Sequence, residues 1–331
     1  MSPLRRSVLA LVLAVPVAAQ DQATTLLANA TRADVVVRAR VVAATDPSPD
    51  FHRLEFAPLA LLKGTVGATF SLLEPAGACC GRSLFALQPG DAVLLFLRRT
   101  GATLHPLGGA RGVLADDPAV AAAVTDLLAA GDDAARAAKL TAQLGHADPR
   151  VAADAAQALA VLPQLALSAS QRTVLLAELQ DALQHRRTTL GPLVDAALRL
   201  GDDVAVDHLL PLYLAAPFAD AATLLRRRLG RVAPDALLSG LSDRLDGDAG
   251  RQLRGAELLA DLPAAQAGTA LRSLLARTTC PRVQLCASRA LLLGGARTTE
   301  LAGVVPAPVL ELAERRGREP APFQSLPRTR P

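Results

Sequence analysis

From Pro118 onward, Leu, Val and Ala recur at three- and four-residue spacing, with Gly or Pro at the breaks. That period places the apolar positions on one face of a helix, so this part of the chain predicts a run of amphipathic helices. Upstream the period changes. Between residues 34 and 116, Val35, Val37, Ala39 and Val41 alternate with Val36, Arg38, Arg40 and Val42, the two-residue period of a half-buried strand. Asp46-Pro47-Ser48-Pro49-Asp50 is a turn. Residues 51–62 are extended again and end at Lys63-Gly64, and residues 69–73 predict a third strand. Gln88-Pro89-Gly90-Asp91 is a turn feeding the strongly apolar stretch 92–98, and residues 103–107 predict a fifth. Five short strands with little helix predict a small all-β barrel or sandwich. Ahead of them, residues 20–33 predict a short helix with Leu26, Leu27 and Ala30 on its apolar face.

The helical part repeats itself. Asp148-Pro149-Arg150-Val151 opens a helix running to Leu162, and Cys280-Pro281-Arg282-Val283 opens another running to Leu293. Laid together, Ala155 matches Ala287 and Leu159 matches Leu291. Residues 250–262 are a looser copy, and further units start near Leu190 and Phe218. Offsets of roughly 30–45 residues suit stacked helix pairs. Asp148 caps the free N–H groups of its helix, and Pro149 at the first helical position gives up no needed hydrogen bond. Arg150 points to solvent, while Val151, Ala155 and Leu159 form one face in which the small Ala lets a neighbour approach. This pattern resembles HEAT repeats of the short, Ala-rich bacterial type over about residues 118–312. The resemblance implies an α-solenoid, a class that presents long surfaces to proteins or peptides.

The β segment carries a second resemblance. An acidic residue enters a Val-rich strand, a strand ends at Lys63-Gly64, and Cys80-Gly81, Gly90-Asp91, Leu94-Leu95-Phe96-Leu97 and a Gly-rich closing segment follow. This order is similar to the netrin-like, OB-type barrel found in tissue inhibitors of metalloproteinases and in bacterial secreted proteins. Those inhibitors begin the mature chain with a Cys that chelates the target's zinc, and they close the barrel with a later Cys. Here the mature start falls at or near Gln20, and Leu107-Gly108-Gly109-Ala110-Arg111-Gly112 stands in the closing position, so the inhibitor mechanism does not carry over.

The ends of the chain add a location. Arg5 and Arg6, an apolar run from Ser7 to Ala14, Pro16 and Val17-Ala18-Ala19 follow the order of a secretory signal peptide, with cleavage expected before Gln20. The apolar core is too short to span a bilayer, which takes ~20 residues. Charge then shifts the expected partners. The chain has 35 basic and 31 acidic residues. Removing Arg5, Arg6 and the tail's five Arg (315, 316, 318, 328, 330) against Glu314 and Glu319 leaves 28 basic and 29 acidic residues. A near-neutral body argues against nucleic acid as a partner. With 2% aromatic residues, the core must be built from Leu, Val and Ala, which suits closely packed helices.

Few residues invite chemistry. Cys79-Cys80 is the most unusual local feature. In an exported chain Cys79, Cys80, Cys280 and Cys286 are candidates for disulfides, and four cysteines allow three full pairings. A vicinal bridge and a soft-metal site remain alternatives. Cys280 and Cys286 are six apart and do not share a helix face. His52, His105, His146, His185 and His208 form no His-x-x-x-His or His-Glu-x-x-His spacing, so structural or surface roles are expected. The glycine segment 108–112 lacks the Gly-Lys-Ser/Thr ending of a phosphate loop, and no Gly-x-Ser-x-Gly element is present. Arg226-Arg227-Arg228 with Arg231 spread around a helix, and Asp132-Asp133 and Asp202-Asp203 read as turn and capping residues.

The sequence therefore predicts a mainly α chain. A signal peptide occupies 1–19, a small netrin-like β domain with a short helix 20–117, HEAT-like repeats 118–312, and a disordered Pro/Arg-rich tail 313–331. The expected function is a non-enzymatic interaction or scaffold module without a cofactor, located in a bacterial periplasm or outside the cell. It binds a protein or peptide, not nucleic acid, and has no integral membrane segment after cleavage. A thiol, redox or metal role at Cys79-Cys80 and an extracellular protease inhibitor are the alternatives.

Overall fold

A computed structural model describes residues 25–48, 51–75, 87–107 and 112–318. It is mainly helical, with an antiparallel sheet of six strands at the N-terminal end. The strands are β1 (Val35–Ser48), β2 (Phe51–Lys63), β3 (Phe70–Pro75), β4 (Ala92–Thr100), β5 (Thr103–Pro106) and β6 (Val113–Ala115). Their order is β3-β2-β1-β4-β5, with β6 pairing β4. The edge strands β3 and β5 approach within 8 Å, so the sheet curls on itself. The long β1–β2 hairpin shifts register at four places, and such bulges bend and twist a strand. The sixth strand was not legible because its three residues are too few to show a period.

The alternation in β1 has its expected consequence on one face. Val35, Val37, Ala39 and Val41 pack with Val93, Leu95, Leu97, Leu54, Phe56, Leu72 and Leu104 inside the curl. Phe56 and Phe70 stack with ring centroids 5.4 Å apart. The other face is not left to water. Val36, Leu94 and Phe96 are completely buried and belong to the same apolar cluster as the helices. A strand covered on both sides reads as an unbroken apolar run, which is why 93–97 is Val-Leu-Leu-Phe-Leu.

What covers that outer face is α1 (Leu26–Arg32), with α2 (Pro118–Ala129). The remaining helices are α3 (Asp133–Gln143), α4 (Pro149–Val161), α5 (Ala169–Gln184), α6 (Leu190–Leu198), α7 (Asp202–Val204), α8 (Leu210–Leu214), α9 (Ala219–Leu229), α10 (Pro234–Ser242), α11 (Ala249–Leu259), α12 (Ala264–Arg277), α13 (Pro281–Leu293), α14 (Thr298–Leu301) and α15 (Ala307–Arg318). A π-helical turn, Ala205–Leu209, joins α7 to α8. Pro211 follows it, and a proline ring crowds the carbonyl four residues back while offering no N–H, so the helix widens there instead of breaking.

Helices two apart lie side by side within a layer, with α7, the π-helical turn and α8 counting as one continuous helix. In one layer α4 packs on α6, α6 on α9, α11 on α13 and α13 on α15. In the other α3 packs on α5 and α10 on α12. Side-by-side contact demands small residues at the crossing. Counting seven from each N-cap, α4 has Ala155, α6 has Ala196, α11 has Gly255 and α13 has Ala287, all buried. A Cβ on Gly255 would come within 2.0 Å of Leu245 Cδ2. Val151, Ala155 and Leu159 are buried as their spacing requires, and Arg150 is exposed. α15 runs to Arg318 and buries Ala313. No helix among the described residues is long and apolar enough to cross a membrane.

Candidate functional site

Three motif residues of the β segment, Asp34, Lys63 and Gly64, come together at one end of the sheet, next to the C-terminus of α1, while Gly90 and Asp91 pair with Val41 farther along β1. Lys63 Nζ donates to the carbonyls of Ala30 and Thr31 at 2.9 and 3.0 Å, where the helix end carries partial negative charge. Asp34 Oδ2 accepts from the Arg99 backbone N–H at 2.8 Å. Gly64 has φ +77°, and a Cβ there would sit 2.2 Å from the Asp34 carbonyl oxygen, so only glycine lets the two segments meet. Gly90 has φ +102°, and Asp91 Oδ2 accepts from the Gln88 N–H. Among the described motif residues, Asp34, Lys63 and Asp91 each fasten one chain segment to another. Arg38 does the same between the sheet and the helices, through paired bonds of 2.7 and 2.8 Å to Asp116. The guanidinium holds that carboxyl below its ordinary range.

The arginine run acts in the same way. Arg226 and Arg228 are two residues apart, so they project roughly 200° from one another. Arg228 reaches back from α9 to Asp195 on α6 at 2.7 and 3.0 Å, and Arg231 joins it at 3.1 Å. Arg226 reaches forward to Asp261 at 2.6 and 2.8 Å and to Glu257 at 3.4 Å. Arg227 is exposed. Asp132 caps α3 through the Ala135 N–H. Asp133 and Asp202 go further than a cap, accepting from the backbone N–H of Gln164 and Ala233 in the next unit.

Two histidines have carboxylate partners that motif spacing alone passed over. His185 Nδ1 lies 2.9 Å from Asp181, one turn away, and His52 Nδ1 lies 2.6 Å from Asp46 across the β1–β2 hairpin. His146 Nδ1 accepts from the Asp148 N–H. His105 lies in β5 and His208 in the π-helical turn. No three His, Cys, Asp or Glu side chains among the described residues stand where they could share a metal ion. Cys79 and Cys80 lie outside the described residues. Cys280 and Cys286 carry free thiols. Cys280 occupies the N-cap of α13 without making a side-chain cap. Burial, with Glu257 nearby, pushes the Cys286 thiol up to about 11, so it stays protonated and a poor nucleophile at neutral pH.

A groove of about 670 Å³ runs along α11 and α13. One wall is the stripe Arg282, Leu285, Cys286, Arg289 and Leu293 of α13, positions that recur at helical spacing on one face. The other is Leu253, Glu257 and Ala260 of α11, and Arg226 closes the α9 end. Its charge is uneven. Arg226 is answered by Asp261 and Glu257. Arg289 Nε is buried without an acceptor. Leu293 is 64% exposed.

A second depression, of about 920 Å³, lies between the ends of α4, α5 and α6. Its charged groups answer one another: Arg187 pairs with Asp181 at 2.8 Å and with Glu178 at 3.7 Å. Arg186, with φ 53°, turns to Asp220 at 3.0 Å and lies 4.7 Å from the Phe218 ring. No family model, no curated protein and no solved structure matches this chain.

Proposed function

We propose that this chain is an exported, non-enzymatic interaction module in which a netrin-like, OB-type barrel precedes a HEAT-like solenoid that binds a protein or peptide. The observation that supports it most is the side-by-side layer of similarly built helices, α4 to α15, with an open groove along α11 and α13. Stacked helices of this kind expose a continuous ridged surface, and each added unit lengthens it. The polar groups that chemistry would need are instead engaged in joining one unit to the next, as Arg226, Arg228, Asp133 and Asp202 are. Export rests on the N-terminal segment 1–19 and places the partner in the periplasm or outside the cell.

Two measurements test the reading. N-terminal sequencing of the tagged chain recovered from the periplasm of a bacterial host should begin at Gln20; a chain retained in the cytoplasm with Met1 intact refutes export. Chemical crosslinking of the tagged chain in its native compartment, followed by mass spectrometry, should then yield a partner whose crosslinks map to the layer α4–α15. Crosslinks confined to the β segment, or none above a tag-only control, would overturn the solenoid as the binding element.

A further inference from the structure

We infer that the groove between α11 and α13 is a docking site for an acidic amphipathic helix of a partner protein. This deepens the interaction-module reading and rests on it. Arg282 and Arg289 are seven residues apart, which puts them on one face about 10.5 Å apart along the axis. Leu285 lies between them and Leu293 one turn beyond Arg289, all in the groove wall. Neither guanidinium has an ion-pair partner among the described residues, whereas Arg226, at the closed end, has two. The Nε of Arg289 is buried with no acceptor, so the charge of this side chain is not answered within the described residues.

The opposite wall tells the same story from the apolar side. Leu253, Glu257 and Ala260 follow one another at three- and four-residue steps along α11. Glu257 pairs with Arg226 at 3.4 Å, so of the charged side chains lining the groove Arg282 and Arg289 remain unanswered. Small residues, Ala260 and Ala290, floor the cleft and let a third helix approach. An occupant that answers both arginines needs two carboxylates about 10.5 Å apart with leucine-like side chains between. A helix carrying Glu or Asp at i and i+7 and Leu at i+3 or i+4 has that geometry. An extended strand does not, because residues about 10 Å apart along it point to opposite faces.

The test uses the full chain and a fluorescein-labelled peptide of about 21 residues, six turns of helix, built from heptads with Glu at the first position and Leu at the fourth and fifth. Fluorescence anisotropy should show saturable binding. It should weaken at least tenfold in the double variant R282E/R289E, weaken with added salt, and vanish when Lys replaces Glu in the peptide. The variant R227E, on the exposed side of α9, should bind as the native protein does, and all three proteins should melt alike by circular dichroism. Absence of binding by the native protein, or equal binding by R282E/R289E, overturns the inference. A native dimer that R282E/R289E dissociates would also overturn it, by giving the groove to a second copy. If crosslinked partners map to other helices while the peptide fails to bind, the groove assignment falls and the interaction module stands.

Discussion

Asp154 is one carboxyl in α4 with one partner, the backbone N–H of Leu26 at the start of α1, 2.8 Å from its Oδ2. Burial outweighs that hydrogen bond and pushes its pKa up to about 6. A folded-state value above the unfolded one means that the native state holds the proton more tightly. The associated stability is therefore intact below about pH 4 and is lost as pH rises through 6, a change of roughly 3 kcal/mol for a shift of this size. Asp154→Asn keeps an acceptor for Leu26 and removes the charge. Urea denaturation at pH 4 and pH 7 should show that the native chain loses more stability between the two than the Asn variant does. Parallel pH profiles would mean that the carboxyl is solvated. Asp116, lowered by Arg38, works in the opposite sense in both proteins and cancels in the comparison.

Between elements, the recurring device is an arginine that reaches the carbonyl end of a neighbouring helix. Arg254 on α11 donates to the carbonyls of Tyr213 and Leu214, which end α8, at 3.1 and 3.2 Å. Tyr213, fully buried, returns a bond from its hydroxyl to the Arg254 carbonyl at 2.9 Å. Arg199 at the end of α6 repeats the arrangement on Leu159, Ala160 and Pro163. The last carbonyls of a helix have no partner within it, so these contacts substitute for C-caps. Arg254→Met keeps the apolar stem and removes the donors. It should cost about 1–2 kcal/mol, seen as a lower urea midpoint at unchanged slope. A changed slope would show instead that the helices no longer unfold together.

At the scale of the molecule, one apolar cluster runs from Leu26 in α1, through Val36, Leu94 and Phe96 on the outer face of the sheet, to Leu310 in α15. The sheet is thus joined to the helices by core, not by a linker. Phe96 lies on that seam and is completely buried. Phe96→Ala should destabilise by about 3–5 kcal/mol. In the native chain, hydrogen exchange of the strand amides and the helix-dominated far-ultraviolet circular dichroism should report coincident transitions. Two separate transitions in the native chain would mean that the sheet and helices fold independently and that the shared cluster contributes little.

Hydrophobic period alone distinguished the β segment from the helical one, because a period of two and a period of 3.6 put different residues inside. It also located α4, α6, α11 and α13, whose caps and small crossing residues are local properties. The groove was less legible. Arg282 and Arg289 stand at i and i+7 with Leu285 between, a signal present in the sequence, but the matching Arg150 in α4 is an ordinary solvent residue, and α13's register with α11 is not a local property. Likewise nothing local announces that Arg226 and Arg228 grip opposite neighbours, or that Val36 and Phe96 face helices and not water. Which face of each helix or strand is apolar follows from spacing along the chain alone. Which faces meet, and which charged groups are left without a partner, is settled by the fold, because both depend on residues tens of positions apart being brought to the same place.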